Sequence, residues 1–155
     1  MAILKILKFG DPTLRKVCRP VTEITPRITM LLDDMTDTMR VNEGCGLAAS
    51  QVGVLRRVVV IEVEDGVVYE MINPEIIAAE GHQEEAEGCL SNPGESGITS
   101  RPERVTVEYT DRNGEICTLT GDGLLARAIC HECDHLDGKL YIDVQIRPVK
   151  DKKKR

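Results

Sequence analysis

His131-Glu132-Cys133-Asp134-His135 carries the chain's most specific chemical pattern, HExxH. On an α-helix the two histidines stand one turn apart and about 40° apart around the axis. Two imidazoles so placed can converge on one metal. Glu132 lies beside them, where a carboxylate can take a proton from a water that the metal activates. Five residues with three fixed also arise by chance, so the pattern needs a third ligand and a surface that holds a substrate.

Two thiols sit nearby, and Cys130 and Cys133 form a CxxC. Helical angles set them apart, because the cysteine pair centres roughly 150° around the axis from the histidine pair. No second CxxC completes a four-thiolate site, and the two are read as small apolar fillers near the core. Cys89 is the better third ligand, placed after a glycine and before the compact Leu90-Ser91-Asn92-Pro93. His82, in the polar run Gly81-His82-Gln83-Glu84-Glu85, is the alternative and is more simply a surface histidine. One thiolate with two imidazoles leaves a fourth tetrahedral position for water, the layout of a catalytic site. An attacked carbonyl also needs donors for its developing charge, and the Gln51 amide and the Leu90 backbone N–H are candidates. The outer nitrogens of His131 and His135 need acceptors to orient them, with Asp134 and backbone carbonyls available.

Particular elements must position these residues. Leu124, Leu125, Ala128 and Ile129 predict an amphipathic helix leading into the HExxH segment, which meets a turn at Asp137-Gly138. Thr25-Pro26 is an N-cap and first-turn pair, and Ile28, Leu31, Leu32, Met35 and Met39 predict a helix over 26–40. Asp33, Asp34 and Asp37 read as its solvent face. Residues 57–64 and 67–72 predict a hairpin around Asp65-Gly66, with Asn73-Pro74 breaking the pattern and a further strand within 75–87. A second hairpin is predicted from 104–111 and 115–120 around Asn113-Gly114. Ile3–Phe9 reads as an edge strand or a tied-down terminus. The small residues of Gly44–Gln51 suggest close backbone approach, and no GxxxxGK[ST] loop is present. The expected fold class is α+β: antiparallel strands packed around a C-terminal HExxH helix, with an early amphipathic helix.

At 155 residues the chain is one domain by length, and its core must rest on aliphatic residues, since it has one Phe, three Tyr and no Trp. So few aromatics leave no stacking platform for nucleic acid, and a net charge of -6 argues against a general polyanion binder, so no DNA binding is expected. Neither a signal peptide nor a membrane span is legible. A cytoplasmic location with reduced thiols is therefore expected for the six cysteines. The catalytic domain is expected over 1–147, with 148–155 a basic tail available for a ribosome contact.

Three stretches together carry a resemblance. Gly44-Cys45-Gly46-Leu47-Ala48-Ala49-Ser50-Gln51, Glu87-Gly88-Cys89-Leu90-Ser91-Asn92-Pro93 and Cys130-His131-Glu132-Cys133-Asp134-His135 stand in the order of GxGLAAxQ, EGCLSxP and QHExDH. The chain resembles the peptide deformylases in these motifs and over nearly its whole length. The resemblance implies metal ligation by Cys89, His131 and His135, with Glu132 as general base and acid. It implies oxyanion stabilisation by Gln51 and Leu90, a cleft lined by Gly44, Cys45 and Gly46, and a Glu87–Arg101 pair. The implied metal is Fe2+, which Zn2+, Ni2+ or Co2+ can replace. The implied reaction removes formyl from N-formylmethionyl nascent peptides near the ribosome, releasing formate. Cys130 departs from the motif's glutamine, and Asn92 from a commonly aliphatic position. A non-catalytic formyl-peptide binder and a general HExxH peptidase are the competing readings.

Overall fold

The computed structural model describes residues 2–149. A five-stranded antiparallel sheet runs in the order β1-β2-β3-β6-β7, built from Gly46–Ala48, Val58–Glu64, Val67–Glu80, Arg104–Thr110 and Ile116–Asp122. A smaller antiparallel sheet orders Gln83–Gly88 (β4), Ser96–Arg101 (β5) and Gln145–Pro148 (β8) as β4-β5-β8. The helices are α1 (Pro26–Val41), α2 (Gly123–Leu136) and the one-turn α3 (Tyr141–Val144). The α+β class and both hairpins match the sequence-based expectation.

The run Val58-Val59-Val60-Ile61 is uninterrupted because both faces of β2 are covered. Val59 and Ile61 join Met71, Val105 and Val107 beneath Ala126 and Ile129 of α2. Val58 and Val60 face the other way, with Leu47 and Ile72, onto Leu32, Met35 and Met39 of α1. Alternate side chains thus feed two cores on opposite faces of one sheet, which a strand covered on both sides allows.

Two expectations change, and one left open is settled. Asn73-Pro74 does not end its strand: β3 continues to Glu80, absorbing the break as a register shift between Ile72 and Glu75, with Asn73 at φ 52°. Ile3–Phe9 is a tied-down terminus rather than a strand, held where Leu7 N–H donates to Gln51 O (2.7 Å) and Phe9 N–H to Ser91 O (2.8 Å). Asp34 is not on a solvent face; it is buried and accepts the Ala2 N–H at 2.9 Å. The basic tail from Lys150 onward lies outside the described residues.

Candidate metal centre

α2 is buried along the stripe that carries the chemistry, with His131, Glu132 and His135 all under 8 % exposed. The other side of the same helix sends Cys130 into the core and packs Cys133 against it, as the helical angles require. Burial pushes the Cys130 thiol up to about 11 and the Cys133 thiol up to about 12, so both stay protonated at neutral pH.

Cys89 arrives from the turn after β4. Its Sγ lies 3.3 Å from His135 Nε2, which is 3.2 Å from His131 Nε2. The ligand atoms of these three residues all fall within 4.8 Å of one another. Tetrahedral ligands at typical metal–nitrogen and metal–sulfur lengths stand roughly 3.3–3.5 Å apart, so this triad fits a divalent ion. His82 is not part of it. It is exposed, with Nε2 3.0 Å from Glu84 Oε2 and Nδ1 3.0 Å from Ser100 Oγ.

The orienting partner of His131 is Glu87, not Asp134: His131 Nδ1 lies 2.5 Å from Glu87 Oε2. Glu87 also accepts from Arg101 (2.7 Å) and Thr99 (2.9 Å), and Asp134 instead accepts from Arg101 at 2.7 Å. Burial works against the Glu87 charge, but hydrogen bonds from His131 and Arg101 prevail and hold its carboxyl at about 2. A permanently ionised Glu87 thus keeps the Nδ1–H tautomer and turns Nε2 toward Cys89 and His135. Burial drives His135 well below its ordinary pKa, which favours the neutral imidazole a ligand must be. His135 Nδ1 finds no partner among the described residues.

Glu132 is buried, 4 % exposed. Its Oε1 has no hydrogen-bond partner among the described residues, and burial pushes its carboxyl up to about 7. Gly46 makes the room, since a Cβ there would lie 2.5 Å from Glu132 Oε2. Gly44 does the same for Leu90, with a Cβ 2.6 Å from its Cδ1. The small residues of the first motif therefore permit the close approach read from the sequence. Gln51 is fastened at one end, its Oε1 accepting the Ala48 N–H at 2.9 Å. Its NH2 then faces Ser91 Oγ (3.0 Å) and Cys89 Sγ (3.4 Å).

These groups converge on one cleft of about 500 Å3, lined by Gly44, Cys45, Gly46, Gln51, Leu90 and Glu132 among others. A larger groove of about 790 Å3 between Arg19, Arg27 and Arg56 contains none of them, so volume alone would misplace the chemistry. A sequence model of the polypeptide deformylase family matches residues 3–152. The chain belongs to that family.

Peptide deformylases from Caldanaerobacter subterraneus subsp. tengcongensis and Acetivibrio thermocellus are 55% and 56% identical over 147 residues, 95% of this chain and 92% and 86% of those proteins. Among solved structures, a peptide deformylase from Legionella pneumophila superposes at a TM-score of 0.90 with 43% identity, covering 92% of this chain and 86% of that one. The peptide deformylase of Thermotoga maritima gives 0.90 with 38% identity over 94% and 99%.

Tyr141 escaped the sequence reading. Its ring stacks on His131, with centroids 6.2 Å apart at 22°, and its hydroxyl accepts from Asn92 Nδ2 at 3.0 Å. The polar residue at 92 thus ties the Cys89 turn to the ring that backs a histidine ligand. A tyrosine three residues past a helix-ending glycine carries no signal of that contact. Arg127 was missed too; it lines the cleft one turn before His131.

Proposed function

We propose that the chain hydrolyses the formyl group from N-formylmethionyl peptides, with Cys89, His131 and His135 holding the metal. The carrying observation is the buried Glu132 carboxylate, unpartnered at Oε1 among the described residues, in the cleft that Cys89 and His131 of the Cys89/His131/His135 triad line. Ferrous iron is the resident metal in this reading, with zinc, nickel or cobalt able to replace it. A bound cation would supply Lewis acidity toward the formyl oxygen and make a water acidic enough to ionise near neutral pH.

The protein's own groups do the rest. Glu132 takes a proton from the attacking water as its oxygen bonds to the formyl carbon. It then delivers that proton to the amide nitrogen as the C–N bond breaks, so formate and a free amino terminus leave. Burial, which raises the Glu132 carboxyl to about 7 before any cation binds, favours its taking up that proton. The Gln51 NH2, held in place through Oε1, and the Leu90 N–H donate to the oxygen where charge develops. Gly44, Cys45 and Gly46 form the wall along which the peptide lies. Its substrates are nascent chains in the cytoplasm, met at the ribosome; no helix among the described residues is long and apolar enough to cross a membrane.

The test is formate release from formyl-Met-Ala-Ser by anaerobically iron-loaded protein, with metal content measured on the same sample. Glu132→Ala is expected to lower kcat by about 10² or more while keeping metal. Formate release equal in the two proteins, or absent from both, overturns the reading.

A further inference from the structure

Along α2, Leu124, Arg127, Ala128 and His131 recur at helical spacing and all line the cleft. Ala128 packs in the core and His131 belongs to the metal triad, while Leu124 is partly exposed at the cleft. Among the described residues Arg127 is the one guanidinium in the lining, beside the carboxylates Glu43, Glu87, Glu95 and Glu132. It pairs with none of them. Glu87 is taken up by Arg101, Thr99 and His131, and no ion pair joins Arg127 to any acid among the described residues. Its one hydrogen bond among the described residues runs from Nη1 to the Ala86 carbonyl at 3.0 Å, which fixes the guanidinium against the edge of β4. Its Nε is buried with no partner among the described residues.

A brace between α2 and β4 would need only the Nη1 bond. The remaining Nη N–H groups have no acceptor among the described residues and stand at the cleft, where an acceptor brought from outside can reach them. We propose that Arg127 is a specificity-determining residue that selects peptides bearing a carboxylate side chain at the second or third position. The position follows from reach. Arg127 precedes His131 by about 6 Å along the helix axis. An extended peptide covers that distance in about two residues beyond the one that carries the formyl group. A planar guanidinium with free N–H groups matches a carboxylate better than an amide, because the pairing is both charged and forked.

This inference rests on the deformylase reading above, and its experiment separates the two. C-terminally amidated formyl-Met-Asp-Ala and formyl-Met-Ala-Asp are compared with their asparagine isosteres on metal-loaded protein, at low and raised salt. At one of the two positions the Asp peptide is expected to exceed its Asn partner in kcat/KM by about fivefold, the size of a partly exposed charge pair. Raised salt shrinks that ratio. Arg127→Gln brings it to one, whereas Arg127→Lys keeps it above one. Because each protein is judged by its own Asp/Asn ratio, a change in the amount of folded enzyme does not affect the outcome. A wild-type ratio of one at both positions, or an unchanged ratio in Arg127→Gln, overturns the assignment and leaves deformylation standing. Formate from none of the peptides removes both.

Discussion

At position 46 the main chain passes so close to Glu132 that a single methyl group decides whether the carboxylate keeps its place. A Cβ would sit 2.5 Å from Oε2 and 3.0 Å from Cδ, so Gly46→Ala must push the carboxylate aside. Shifts near 1 Å in a positioned group cost about 10² in rate. Gly46→Ala is therefore expected to lower kcat about a hundredfold, with metal content retained and the melting temperature little changed. A variant with normal kcat would show that Glu132 does not need this placement. Gly44 provides the contrast. The atoms a Cβ would meet there belong to the flexible end of Leu90, which can rotate away, so Gly44→Ala acts on the cleft wall rather than on a proton carrier. Both glycines were legible as close-approach positions, because a run of small residues has few other uses. Their partners were not, since nothing in the spacing of residues 46 and 132 announces a contact between them.

Among the elements, those with strong periodicity were legible and those assembled by tertiary contacts were not. α1, α2 and the two hairpins follow from 3.6-residue and two-residue patterns with clear turn residues. β1, β5 and β8 are short, and β5 is Ser-Gly-Ile-Thr-Ser-Arg, whose strand character comes from pairing to β4 and β8. β3 shows how a local break can be overruled. Asn73 sits at φ 52°, and its side chain spans to one residue, accepting the Val21 N–H through Oδ1 and donating to the Val21 carbonyl through Nδ2, both at 2.8 Å. The left-handed backbone is tolerated because asparagine adopts it cheaply and the amide secures the neighbouring segment. Asn73→Ala loses both bonds and adds backbone strain, at an expected cost of about 2–3 kcal/mol. Asn73→Gly loses the bonds but relieves the strain, so it should melt above Asn73→Ala. Equal melting temperatures for the two variants would refute the backbone part of that account.

At the scale of the whole molecule, the start and the end of the described chain are clamped together beside the metal-bearing helix. Arg15, in the 3-10 turn Pro12–Arg15, forks onto Asp143 of α3, its Nη1 2.5 Å from Oδ2 and its Nη2 3.1 Å from Oδ1. Asp143 Oδ2 also accepts the Leu140 N–H at 2.9 Å, and α3 begins with the Tyr141 that stacks on His131. No sequence pattern pairs residues 128 positions apart. The Arg15 hydrogen bonds outweigh the opposing effect of burial and hold the Asp143 carboxyl below its ordinary value of 3.8. A carboxyl lowered on folding contributes stability above its unfolded pKa and loses it as pH falls through the folded one. Both side chains are more than a third exposed, so solvent screening limits the pair to at most about 1 kcal/mol. Asp143→Asn keeps an acceptor for Leu140 and removes the charge. At neutral pH and low salt it is expected to melt about 2–4 °C below wild type. The gap should be constant from pH 7 down to about 5. It should then close as the solution passes below 3.8, where wild-type Asp143 also takes up a proton. Thermal melts of both proteins across that range measure it. A gap that persists below pH 3 would mean that the clamp works through shape and hydrogen bonding, with the charge contributing nothing.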